Sequence, residues 1–251
     1  MVVKSQIKFI KSLQQKKHRS QNRLFVAEGI KTVTELLASS LICHKVYVTD
    51  ASIFAGNPRD VEVISEVDLK KMSGLATPNK ALGVFHFPET KAIDYSGWVI
   101  ALDDVRDPGN LGTIIRLCDW FGISDLICSP NTVDCYNPKT LQATMGSISR
   151  VNIVYKELMT VVRESKSPVY GTFMDGEVVY SSPLPKSGVL IMGNEANGIS
   201  KEIETIVDKR ISIPQFGQKT TDSLNVATAT AILLSEVRRS GMDLFKREID
   251  K

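Results

Sequence analysis

Three segments of this chain end an apolar run with side chains that can hold a polar ligand. In ALDDVRDPGNLGTIIRLCDWFG (101–122) a buried-strand pattern breaks at Pro108-Gly109 and a helical pattern follows. Asn110 lies near the start of that helix, and Arg116 lies off its apolar stripe of Leu111, Ile114, Ile115, Cys118 and Phe121. In VLIMGNEANGIS (189–200) Gly193 and Gly198 bracket Asn194 and Glu195 at the end of a strand. Glycines there let backbone approach a ligand closely or take positive φ. In ISIPQFGQKTTDSLNVATATAILLSEVRR (211–239) a polar loop after Ile213-Pro214 leads to Ser223, Leu224 and Asn225, where a helix opens. Breaks of this kind at strand ends are where α/β proteins place their ligand loops. Each also has a plainer reading. Asn110, Ser223 and Asn225 suit helix capping, Arg116 a solvated cation, and 193–198 a tight strand-to-helix turn.

These residues need elements to place them. Apolar, β-branched runs at HKVYVTD, VEVIS, ALGVFHF, GWVIALDD, DLICSP, RVNIVY, VYGTFMD, GVLIMGN and RISIPQ read as strands. Helical patterns such as EGIKTVTELLAS, NLGTIIRLCDWFG, SKEIETIVDK and SLNVATATAILLSEVRR alternate with them, which predicts an α/β fold with a mostly parallel, covered sheet. The polar, turn-rich stretch 87–97 separates a first domain, 1–90, from a second, 97–251. Ala227, Thr228, Ala229, Thr230 and Ala231 make the last helix small-faced, so another backbone can approach it within the chain or across a dimer.

Composition narrows the function. With 251 residues, 43% hydrophobic and 24% charged, the chain can bury a sizeable core. No apolar run spans a membrane, and the lysine-studded N-terminus is not a secretory signal. Cys43, Cys118, Cys128 and Cys135 lack metal-ligand spacing, so no metal is expected, and free thiols suit a reducing cytoplasm. Net charge is only +3, yet residues 1–31 hold eight Lys/Arg against one acid, Glu28. That basic segment, with KKHRSQNR inside it, suits a phosphate backbone or a solvated helix face. No GxGxxG, GxxxxGK[ST] or GxSxG supports a dinucleotide, P-loop or hydrolase reading.

In this order, LDDVRDPGNLGTIIR, MGNEANGIS and ISIP…SLNVATATAILLSE resemble the three motifs of the SpoU (TrmH-like) RNA 2′-O-ribose methyltransferases of the SPOUT class. ATMGSISRV is similar to the glycine-containing segment between them. RLFVAEGIKTVTELL and KALGVFHF resemble the family's N-terminal RNA-binding extension. The resemblance implies a SPOUT-type C-terminal domain with a parallel sheet and a trefoil knot, plus a small N-terminal α/β RNA-binding domain. It implies S-adenosyl-L-methionine as cofactor, held by Gly193, Ile213 and Leu224, and a catalytic set of Arg116, Asn110, Glu195, Ser223 and Asn225. It also implies a cytoplasmic homodimer whose partner is RNA, ribosomal in preference to transfer RNA, with no membrane and no metal. The alternatives are a non-catalytic RNA-binding protein on the same fold and a transfer-RNA 2′-O-methyltransferase. Against the family pattern, the 213–223 loop is about two residues longer, Ala196 replaces a glycine and Ser149 an aromatic.

Overall fold

The computed structural model describes residues 2–54, 61–218 and 223–249. In chain order the first elements are α1 (Lys4–Ser12), α2 (Lys16–Asn22), β1 (Leu24–Glu28), α3 (Ile30–Leu37), β2 (Cys43–Val48), β3 (Val61–Val63), α4 (Glu66–Met72) and β4 (Ala81–His86). Next come β5 (Trp98–Leu102), α5 (Pro108–Trp120), β6 (Asp125–Cys128), α6 (Pro138–Thr144), β7 (Asn152–Tyr155) and α7 (Leu158–Glu164). The chain ends with β8 (Val169–Val178), β9 (Gly188–Met192), α8 (Lys201–Glu204), β10 (Lys209–Ser212) and α9 (Val226–Ile249). Two compact units result: Met1–Glu89 with Asp134–Arg150, and Thr90–Val133 with Val151–Lys251.

The first unit is a four-stranded sheet in the order β1-β4-β2-β3, antiparallel except for β2–β3. β1 is absent from the alternation expected from the sequence. LFVAE is buried at every position, so it has no period-2 signature, and Gly29 (φ 93) turns it directly into α3. In α1, Ile7 and Ile10 face a cluster with Leu13, Leu24, Leu69, Met72 and Leu82, and the lysines face outward. Arg19 departs from the basic face read in the sequence. It is 3% exposed, donates to the Leu13 and Gln14 carbonyls, and pairs with Asp134 at 2.5 Å. That pair fastens residues 134–150 into this unit. Gln142 adds a bond to the Glu28 carbonyl (3.0 Å), and Arg150 pairs with Glu35 (3.1 Å). A division by position along the chain misses this segment, which a linear reading places in the second domain.

The second unit is a six-stranded parallel sheet, order β10-β8-β9-β5-β6-β7. β5, β6 and β9 are buried at every residue, as both-faces-covered parallel strands should be. Val99, Ala101, Val189 and Ile191 point to the face covered by Leu158 and Val161 of α7 and Ile203 of α8. Alternate residues such as Ile100 and Leu102 turn to the other face. α5 buries Leu111, Gly112, Ile114, Ile115 and Cys118 and packs on α9. Arg238 of α9 donates to the Phe121 and Gly122 carbonyls at the end of α5. The chain leaves β5 toward β6 and β7, then returns on the opposite side for β8 and β9. The loops after β5 and β9 therefore share a crevice at a topological switch point, where ligands of open α/β sheets bind.

Because Arg19 is buried and paired, its loss strands Asp134. We expect Arg19→Ala to lower unfolding free energy in urea by about 3–5 kcal/mol, against about 0.5 kcal/mol or less for exposed Lys16→Ala. Equal effects would show that the pair does not anchor the segment.

Candidate active site

The start of α5 is capped by Asp107, whose carboxylate accepts from the Asn110 amide at 2.7 Å, and Pro108 occupies the first helical turn. Asn110 is thereby relieved of capping, and its side chain reaches across the crevice. Its Nδ2 donates to Glu195 Oε1 (2.9 Å), and its Oδ1 accepts from Asn225 Nδ2 (2.9 Å). Asn225 does cap: its Oδ1 accepts from the Ala227 and Thr228 amides at the head of α9. One amide side chain thus ties together the three loops that follow β5, β9 and β10.

The loop after β9 is closed by its own backbone. Asn194 and Gly198 exchange two hydrogen bonds of 2.9 Å, and Asn194 Oδ1 accepts from the amides of Ala196 and Asn197. Its Nδ2 donates to the Asp104 carbonyl (2.6 Å), while Asp103 Oδ2 accepts from the Ser200 amide (2.7 Å). A Cβ at Gly193 would lie 2.2–2.6 Å from backbone atoms of Gly198 and Ile199, so this glycine accommodates the chain itself. Gly198 is glycine for a different reason, its φ of 68. Asp103, Asp104 and Asp107 were not singled out from the sequence, and Asn194 was noted there without a role. Asp-Pro at a helix start was a readable signal for Asp107, whereas Asp103 and the Asn194 bond to Asp104 act between segments distant in sequence, which spacing does not reveal.

Behind the loops lies a cavity of about 420 Å³, within the range of roughly 300–1,000 Å³ usual for small-molecule sites. Gly193, Glu195, Ile213, Ser223 and Leu224 all line it. Its walls are otherwise mostly apolar (Phe173, Met192, Ile211, Val226, Leu233), and Glu195 is the one charged side chain among its lining residues as described. Asn110 and Asn225 border it through the hydrogen bonds above. Arg116 is not in its wall. It sits six residues along α5 from Asn110, about 9 Å of helical rise, exposed and without a hydrogen bond or ion pair among the described residues. Residues 219–222 of the longer loop, Asp222 included, lie outside the described residues.

None of the four cysteines is in a disulfide, and burial pushes the Cys118 thiol up to about 12. Among the described residues no three His, Cys, Asp or Glu side chains gather as a metal site, and no helix is long and apolar enough to cross a membrane.

Compared with known proteins, residues 97–235 match the model of the SpoU rRNA Methylase family, and residues 4–83 match that of an MRM3-like substrate binding domain. The chain is 34% identical over 242 residues to the 23S rRNA (guanosine(2553)-2′-O)-methyltransferase RlmP of Bacillus subtilis, covering 92% of this chain and 95% of that protein. A TrmH-family protein of Porphyromonas gingivalis superposes with a TM-score of 0.88 at 38% identity, covering 95% of this chain and 99% of that one. An AdoMet-bound rRNA methyltransferase from Sinorhizobium meliloti gives 0.83 at 32% identity, covering 95% and 96%.

The two glycines should separate in mutagenesis. Gly193→Ala forces backbone apart and is expected to cost about 1–3 kcal/mol or more. Gly198→Ala meets no atom within 4 Å and carries only the left-handed penalty of about 1–2 kcal/mol, which Gly198→Asn should reduce. Chemical denaturation of the three variants checks this ordering.

Proposed function

The chain belongs to the SpoU rRNA methylase family, and we propose that it is an S-adenosylmethionine-dependent methyltransferase acting on a ribose 2′-OH of ribosomal RNA. The observation that carries this reading is the meeting of three loops at one mostly apolar cavity, with Glu195 the one carboxylate among its described lining residues. Such a slot suits an adenosine joined to a cationic sulfonium: Gly193, Ile213 and Leu224 would hold it, and the Glu195 carboxylate would offset the positive charge. The Bacillus relative is named for 2′-O-methylation of 23S rRNA, and the Sinorhizobium structure holds AdoMet in a protein of this shape.

When bound, the cofactor supplies a methyl group on an electrophilic sulfur. What remains for the protein is to align a hydroxyl with it, exclude water and stabilise the forming alkoxide. Asn110, fixed between Glu195 and Asn225, holds the three loops in one register around the donor. Ser223 is exposed on the cavity wall, and in this reading its hydroxyl serves the ribose. Arg116 binds the substrate phosphate and stabilises negative charge rather than removing the proton. A guanidinium is an always-charged donor with no acceptor atom, and a nearby phosphate favours that charged form further.

The first unit supplies RNA affinity in this reading. Lys4, Lys8, Lys11, Lys16, Lys17 and Arg23 are exposed along α1, α2 and the turn into β1. The homodimer, the cytoplasmic location and the knotted threading belong to the same proposal. Trp120 and Met242, 82% and 68% exposed, are large apolar side chains suited to cover by a second copy.

Two measurements test the proposal. Label from S-adenosylmethionine should enter ribosomal RNA as alkali-resistant 2′-O-methyl nucleotides. Arg116→Lys should retain reduced activity, since charge survives but the guanidinium fork does not, and Arg116→Ala should lose nearly all. Label in transfer RNA alone would shift the substrate, and cofactor uptake without transfer to any RNA would favour the non-catalytic alternative. RNA affinity should fall steeply with salt, and replacing Lys16 and Lys17 by Ala should flatten the log–log slope by about one to two. A slope unmoved by that pair would take α2 out of the RNA contact.

A further inference from the structure

One wall of the cavity is built by an irregularity in the sheet. β8 and β10 pair at Tyr170–Lys209 and Gly171–Arg210, then at Glu177–Ile211 and Val178–Ser212. Between two consecutive residues of β10, the segment Thr172–Gly176 of β8 is therefore looped out of the ladder. Thr172, Phe173 and Met174 of that loop line the cavity.

Both ends of the bulge are fixed by glycine. A Cβ on Gly171 would stand 2.6 Å from the Phe173 ring and 2.9 Å from Val207, so the ring occupies the space a side chain would take. A Cβ on Gly176 would stand 2.5–2.7 Å from the Ile211 backbone. Ser212 Oγ donates to the Gly176 carbonyl at 2.8 Å, and Thr172 Oγ1 to that of Ile191 at 3.2 Å.

Arg210 spans the bulge. Its guanidinium carbon lies 3.6 Å from the Phe173 ring centroid, one terminal nitrogen is 2.5 Å from Asp175 in the bulge, and the other is 2.5 Å from Glu204 of α8. Asp175 and Glu204 are 76% and 42% exposed, and ion pairs so open to water add little to stability. The arrangement accounts for a position more than for a stabilisation: two carboxylates hold a planar cation flat on an aromatic ring.

We propose that Arg210 is a positioning residue for the methyl-donor pocket, fixing Phe173 and with it the Thr172–Gly176 wall. The inference rests on reading the cavity as the donor site. Since one cation already lies on the ring, Phe173 acts as a wall, without preference for a charged over a neutral ligand.

The test is calorimetric affinity of the full-length chain for S-adenosylmethionine and S-adenosylhomocysteine. Arg210→Leu should weaken both on the order of tenfold, with RNA affinity unchanged. Phe173→Leu should do the same, and the double variant should bind no worse than Phe173→Leu alone. Arg210→Lys should recover only part of the loss, its ammonium lacking the flat fork. If Arg210→Leu folds poorly, the exposed change Asp175→Asn supplies the readout, with a smaller loss of the same kind. Affinity within about twofold of wild type for Arg210→Leu, or a double variant whose loss is the product of the singles, overturns the inference. A wild-type chain that takes up neither ligand overturns the donor-site reading, and the inference with it.

Discussion

The loop after β9 folds back on the end of its own strand so closely that only hydrogen fits on Gly193, and the site depends on that contact. The approach brings Asn194 opposite Gly198, directs the Asn194 amide to the Asp104 carbonyl, and leaves Glu195 at the cavity edge. The loop after β5 is bound to it in turn, through Asp103 to the Ser200 amide. The two loops that share the crevice are thus one hydrogen-bonded body resting on buried strands. Backbone contacts of this kind cannot be adjusted by a rotamer change, so the geometry is set before any ligand arrives.

Asn110 works at a different scale. Its bonds to Glu195 and Asn225 are exposed, and each contributes about 0.5–1.5 kcal/mol at most. They are too weak to hold three loops that would otherwise drift apart. They suffice to choose among nearby arrangements of loops already confined by β5, β9 and β10. This division of labour suits a binding site: the sheet carries the stability, and a few replaceable polar contacts carry the register.

The sequence made the parallel sheet legible because GWVIALDD, DLICSP and GVLIMGN are continuous apolar runs, and made α5 legible because its stripe has a clean helical period. β1 escaped because the short run LFVAE passes through Glu28 and Gly29 directly into the helical pattern EGIKTVTELLAS. The inclusion of residues 134–150 in the first unit was also unreadable, since it rests on an Arg19–Asp134 pair distant in sequence. At the site, residue types and order marked the loops that meet at the cavity but not which side chains cap the helices. Asn110 and Asn225 both read as caps; only Asn225 is one, and Asp107 caps α5. The Thr172–Gly176 bulge was read as plain strand because VYGTFMD continues the strand pattern through it, although Gly171 and Gly176 at its ends are the kind of strand glycine that marks a bulge.

The separation of Arg116 from the cavity bears on the chemistry proposed for it. A proton acceptor for the 2′-OH has to meet the hydroxyl at hydrogen-bond distance, beside the methyl donor. A phosphate ligand has a looser requirement, because the nearest phosphates of an RNA chain lie several ångströms from the ribose hydroxyl they flank. Arg116 stands exposed beyond the lining residues, with no carboxylate engaging it among those described. A cation that no described group neutralises offers its charge to an anion brought by the substrate, and a guanidinium can grip two phosphate oxygens at once. Its position off the cavity wall is therefore what a phosphate clamp requires and what a general base would have to overcome.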